Sequence, residues 1–145
     1  MCRNETRICR CGRNSAALLL RDNLLFPEIL LELYCPECQD QAVWDETTMI
    51  RDCGWILEYD MEGARGLLRQ QGLQAEVTPA FLFDEGYLSW QGFSPGDHDM
   101  NAALHRRLMP LISQDIALYL KSMKNEWLQH VAALKAAGWR KARAA

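Results

Sequence analysis

Ile8-Cys9-Arg10-Cys11-Gly12 and Tyr34-Cys35-Pro36-Glu37-Cys38 decide how this chain is read. Each packs two thiols into one short turn, and 23 residues separate Cys11 from Cys35. A turn that curls its backbone around an ion can put both of its sulfurs on that ion. Two such turns complete a tetrahedron, the geometry zinc prefers in structural sites. Gly12 stands where the chain must turn sharply after the first pair, and Pro36 pre-sets φ inside the second. The spacing therefore predicts one structural Zn2+ held by Cys9, Cys11, Cys35 and Cys38. Iron would suit the same four-sulfur cage. The competing reading, four buried cysteines acting as small hydrophobes, fits poorly with two tight pairs among six cysteines.

In spacing, residues 8–40 resemble a zinc-ribbon module. They are also similar to the Cys-x-Cys…Cys-x-x-Cys zinc domain of the redox-regulated bacterial holdase chaperones. The likeness rests on four cysteines, so it implies a metal-binding module and does not carry the chaperone activity over.

Outward from the two turns, the leucine-rich segment Ser15–Tyr34 allows two readings. Leu24, Leu25, Ile29, Leu30 and Leu33 suit a helix whose second half Pro27 would open. Ala16–Leu20 and Glu28–Tyr34 equally suit two buried strands, which is the reading favoured here because ribbon modules pass from knuckle to hairpin. Ala42–Asp45, Thr48–Arg51 and Trp55–Tyr59 are short and rich in β-branched and aromatic residues, as an antiparallel meander requires. Asp52-Cys53-Gly54 reads as a tight hairpin turn. Cys53 is then a turn or packing residue, or a fifth candidate ligand if the turn folds over the knuckles; Cys2 is assigned no role. Met61–Gln71 is expected to be a helix, with Asp60 as N-cap and Gly72 as its stop. Thr78-Pro79 should open a second helix through Phe81–Leu88, and Trp90–Asp99 reads as a loop.

From residue 100 to 138 the pattern is helical. Leu104, Leu108, Leu111, Ile112, Ile116, Tyr119, Leu120, Met123, Trp127, Val131 and Leu134 recur at three- and four-residue spacing on one expected stripe. Asp99 is the expected N-cap and Gly138 the expected stop, and Pro110 should kink or split the helix. Asp97-His98-Asp99 with His105 raises a second metal site or an acid–base pair, but capping and loop roles explain these residues more simply. Trp127 and Trp139 are candidates for a contact surface.

The totals fit this picture. At 49% hydrophobic and 24% charged residues the 145-residue chain is an ordinary globular sequence, not a disordered one. Residues 1–100 carry eight Lys and Arg against seventeen Asp and Glu, whereas residues 101–145 carry eight against two. That break implies separate structural units. The expected fold is α+β: a zinc-ribbon-like β module over 1–60, a mixed helix and loop segment over 61–99, and an amphipathic helical unit over 100–145. A polar start and the absence of an apolar run near the ~18 residues of a membrane span imply a cytoplasmic protein. In a reducing compartment cysteines bind metal more readily than they form disulfides.

No nucleophile elbow, phosphate loop, dinucleotide fingerprint or His-Glu-x-x-His helix is present, so no catalytic residue is nominated. Four protein thiolates would leave the metal no open position for water. The expected function is that of a small binding or adaptor protein, whose partner is another protein or a second copy of itself, met through the C-terminal helix. Nucleic-acid binding through the basic C-terminal unit is the first alternative. A thiol redox switch that releases zinc is the second.

Overall fold

Two strands, β1 (Arg3–Ile8) and β2 (Ser15–Leu20), pair antiparallel across the first cysteine turn, with Ile8 opposite Ser15. In β2 the alternation is strict: Ala16, Leu18 and Leu20 are buried. The next residues do not continue as a strand, because Asp22 and Asn23 adopt left-handed φ values of 54° and 55°. Pro27 opens a single 3-10 turn over Pro27–Ile29, and the chain re-extends as β3 (Leu30–Tyr34) into the second cysteine turn. The strand reading of the leucine-rich segment therefore holds, with Pro27 opening one turn and no longer helix.

This is a computed structural model that describes residues 2–145, and its class is α+β. The chain divides into two compact units, Met1–Gln91 and Gly92–Ala145.

In the first unit, β4 (Met49–Asp52) and β5 (Trp55–Tyr59) form a hairpin whose two central residues, Cys53 and Gly54, both have positive φ, 46° and 89°. That is the turn whose twist matches the flanking strands. β3 pairs with the other edge of β5, so one sheet runs β3-β5-β4. The expected strand at Ala42–Asp45 is absent. Asp45 instead folds its carboxylate onto the Thr47 backbone N–H (2.9 Å) and hydroxyl (2.6 Å), a local turn that competes with extension.

Helix α1 (Met61–Gln70) starts where Asp60 accepts from the Gly63 N–H at 3.0 Å, and it buries Met61, Ala64 and Leu68 while Leu67 is half-buried. Helix α2 (Pro79–Asp84) is capped by the Thr78 hydroxyl. It stops short of Leu88 because Gly86 takes φ 78° and turns the chain. Trp90, read from the sequence as the start of a loop, instead joins Ser89 in β6, which pairs with Leu18–Leu19 and gives a second sheet of order β1-β2-β6.

Trp90 is fully buried and ties the unit together. Its indole N–H donates to the buried carboxylate of Asp52 at 2.8 Å. Its ring meets Trp55 and Phe83 edge-on, with centroids 5.6 and 5.7 Å apart. The Arg7 guanidinium donates to the Pro27 and Leu30 carbonyls (3.0 and 2.9 Å), joining β1 to the start of β3.

The second unit holds α3 (Asp97–Leu108), α4 (Ile116–Ala137) and α5 (Arg140–Ala144). Pro110 splits the expected long helix, with a 3-10 turn at Met109–Leu111 and a fresh start capped by Asp115 on the Leu118 N–H. Because α4 restarts in its own phase, the anticipated single stripe breaks up. Leu104 is buried, and Tyr119, Met123, Trp127, Val131 and Leu134 are half-buried, but Ile112, Ile116 and Leu120 face solvent. Gly138, at φ 94°, ends α4 as expected. Asp99 is not the N-cap: α3 begins two residues earlier, after Gly96.

Replacing Trp90 by Ala removes a fully buried ring, and by the cost of such truncations should destabilise the first unit by about 3–5 kcal/mol. Urea unfolding followed by circular dichroism measures it. A loss below about 1 kcal/mol would place Trp90 in a loop after all.

Candidate metal centre

The hairpin between β1 and β2 is itself the first cysteine turn. Its backbone curls back on itself: Cys9 N–H donates to Asn14 O (2.8 Å) and Gly12 N–H to Cys9 O (2.9 Å), with Gly12 at φ 78°. The Asn14 N–H points at Cys9 Sγ, 3.3 Å away. The second turn follows β3 directly. There Cys38 N–H donates to Cys35 O (3.0 Å), and Cys35 N–H points at Cys38 Sγ (3.2 Å). Each turn thus aims amide dipoles at its own sulfurs, which favours the thiolate that a metal needs.

Three links bring the turns together. Arg10 N–H donates to Leu33 O at 2.7 Å, in effect extending β3 with one bond to the first turn. The Arg10 guanidinium reaches Glu32 at 3.2 Å, and the Asn14 side-chain amide reaches Glu37 at 3.4 Å. On the far side the β4–β5 turn abuts the second knuckle: a Cβ built on Gly54 would stand 3.2 Å from Pro36 Cγ.

The result is a four-sulfur cluster. Cys9, Cys11, Cys35 and Cys38 place their Sγ atoms within 4.8 Å of one another, and among the described residues this is the group of three or more His, Cys, Asp or Glu side chains able to share an ion. Cys9–Cys11 is 3.2 Å, Cys11–Cys35 3.6 Å and Cys35–Cys38 3.6 Å. Around zinc, with Zn–S near 2.3 Å, tetrahedral sulfurs stand roughly 3.8 Å apart, so the spacing suits such an ion. Cys9, Cys35 and Cys38 are buried and Cys11 is half-buried. No family model, curated protein or solved structure matches this chain.

Electrostatics point the same way. Burial opposes ionisation of Cys9, but bonds from Cys11, the Asn14 and Arg13 backbone and Cys35 outweigh it and bring its pKa down to about 6. At Cys11 the Arg13 backbone N–H favours the thiolate, yet Cys9, burial and the other sulfurs override it and push the pKa up to about 12. Burial also opposes the Cys35 thiolate, but the Asn14 side chain, the Glu37 backbone and neighbouring sulfurs lower its pKa. The opposite shifts of Cys9 and Cys11 are linked by the hydrogen bond between their sulfurs, which favours the thiolate at Cys9 and the protonated thiol at Cys11. A dication among them would favour the charged form of each sulfur and let all four ionise.

The other sequence candidates lie elsewhere. Cys53 is exposed, and although its turn does touch the second knuckle, its sulfur is not in the cluster. Cys2 is exposed and outside it too. His98 and His105 do not form a metal group; His105 Nδ1 instead meets the Tyr119 hydroxyl at 2.6 Å.

Sequence reasoning missed the partnership of Asp97 with His130, 33 positions apart and carrying no spacing signal. Asp97 is buried. Its carboxylate accepts from Phe93 N–H (2.7 Å) and the Ser94 hydroxyl and meets His130 Nε2 at 2.8 Å. Gly92 leaves the room, since a Cβ there would fall 2.8 Å from Asp97 Cβ. Within the same unit Trp127 stacks on Phe93 and meets the His130 ring at a tilt, with centroids 6.2 and 5.5 Å away. An open groove beside them is lined by Met100, Leu104, Arg107, Glu126 and His130, and Arg107 and Glu126 pair with each other at 3.2 Å. These contacts fasten α3 to α4.

Two outcomes test this geometry. A thiol that keeps its proton cannot ligate, so metal affinity should fall as pH falls from 8 to 6; competition with a chromophoric chelator measures it, and a pH-independent affinity would rule out the thiolate set. Gly54→Ala forces a side chain into a left-handed turn against Pro36 and should destabilise the first unit by more than about 1 kcal/mol, whereas an unchanged urea midpoint would show that the turn does not brace the second knuckle.

Proposed function

We propose that this chain is a small zinc-binding protein in which Cys9, Cys11, Cys35 and Cys38 hold one structural Zn2+, and that it works as a binding or adaptor protein in a reducing compartment. The convergence of four sulfurs from two turns supports the metal. Zinc is favoured because all four donors are thiolates at tetrahedral spacing, and such a set supplies folding free energy on the order of 10 kcal/mol. The ion would lock the β1–β2 hairpin to the end of β3 and leave no coordination position for water, so its part is structural.

The adaptor reading draws on the second unit. Six of the chain's exposed large apolar side chains, Met109, Ile112, Ile116, Leu118, Leu120 and Leu128, lie in this helical stretch. No helix among the described residues is long and apolar enough to cross a membrane. Protein partners, or a second copy, account for such a surface better than the nucleic-acid alternative does. The basic residues Arg106, Arg107, Lys121, Lys124, Lys135, Arg140, Lys141 and Arg143 are spread along three helices, and Arg107 is already paired with Glu126.

Elemental analysis of the purified protein should find one zinc per chain, and Cys35→Ser or Cys38→Ser should abolish it. A chelator should lower the melting temperature of the wild-type protein. An equimolar iron content, or a melt that ignores the chelator, would overturn the zinc assignment. The thiol-switch alternative rests on half-exposed Cys11. It requires zinc release by mild peroxide, with a thiolate pair oxidised to a disulfide and the peroxide reduced to water, and recovery with a thiol.

A further inference from the structure

We infer that the solvent-facing side of α4 is a docking face for an acidic amphipathic helix of another protein, an inference that rests on the adaptor reading of this unit and is independent of the metal. Ile116 and Leu120 stand one turn apart and Leu128 two turns further on, and they are 53%, 60% and 54% exposed. Residues at four-residue spacing share a side of a helix. Lys124 stands between Leu120 and Leu128 at the same spacing, so three large apolar side chains and one ammonium group share an exposed line, and apolar side chains aligned on one side mark a contact surface in a way that singly scattered ones do not.

The charges choose the partner. Lys121 and Lys124 are exposed on the same side and sit among the three apolar residues. The one acid within α4, Glu126, lies on the other side and is paired with Arg107 at 3.2 Å. The face thus sets Lys124 within the apolar line and Lys121 beside it, and carries no carboxylate of its own. Leucine-like side chains on a partner helix would cover the row, and flanking carboxylates would meet the two ammonium groups, the pattern of helix recognition in a groove or along a face.

A second copy fits less well. Pairing α4 with itself would set lysines against lysines at the centre of the contact. From Ile116 to Leu128 the row runs only ~18 Å at 1.5 Å per residue and about 10 Å across, which is far less than the ~800 Å² per partner of a stable interface. A face of this size serves a short, reversible contact. A nucleic acid would find two cations and three aliphatic side chains here, a poor match to a phosphate backbone.

The test uses the full-length protein and two fluorescein-labelled 20-residue helical peptides with the same leucine face, one flanked by glutamates and the other by lysines. Fluorescence anisotropy at low salt should show the glutamate peptide binding at least tenfold tighter than the lysine peptide. Leu120→Ser should weaken it about tenfold. The charge reversal Lys121→Glu with Lys124→Glu should invert the preference, an effect that loss of folding cannot produce; circular dichroism checks the helix content of both variants. Equal binding of the two peptides, or a preference that the reversal leaves untouched, would overturn the acidic partner while the docking role stands. No binding by either peptide would overturn both, and sedimentation with phosphatidylglycerol vesicles in that case would assign the face to a lipid surface.

Discussion

Four sulfurs held within 4.8 Å of each other place a demand on everything around them. Four thiolates so close would repel one another, and the opposite displacements of the Cys9 and Cys11 pKa values reflect the hydrogen bond those two sulfurs share. The backbone answers part of it with amide N–H groups aimed at Cys9 and Cys38. The four sulfurs stand close enough to share a cation, which would relieve the rest. The first unit is therefore arranged so that two turns far apart in sequence meet: a hairpin presents one, a strand end presents the other, and Arg10 N–H to Leu33 O fixes their separation.

Around that junction the packing is ordinary and dense. The sheets β1-β2-β6 and β3-β5-β4 share a core in which Trp90 is fully buried with its indole N–H on Asp52. Asp52 closes β4, and the turn after it lies on Pro36 in the second knuckle. A chain of contacts thus leads from the late residue Trp90 back to the cysteine turn. Ordering of the cysteine turns and burial of the aromatic core therefore support one another within the first unit.

The second unit follows a different logic. Its helices are fastened by polar contacts, Asp97 to His130 and His105 to Tyr119, with Trp127 stacked on Phe93 and tilted against His130. Little of it is deeply buried: Pro95, Leu104 and Ala142 are its buried apolar residues. A helix pair held this way keeps its own shape while leaving much of α4 uncovered.

The cysteine spacing determined, without any coordinates, which four side chains would converge, because short paired turns admit few geometries around a common point. Local chemistry likewise marked the helix caps at Asp60 and Thr78, the hairpin turn at Cys53-Gly54 and the stop at Gly138, each set by nearest-neighbour hydrogen bonds or by φ. What lay beyond the sequence depended on partners distant in the chain. Ser89-Trp90 is a strand only because β2 offers it an edge, and Asp97 is a buried anchor because a histidine 33 residues later reaches it. The stripe read along 104–134 came apart for the same reason: periodicity records which residues could share a face, whereas the break at Pro110 and the packing of α3 on α4 decided which of them water still touches.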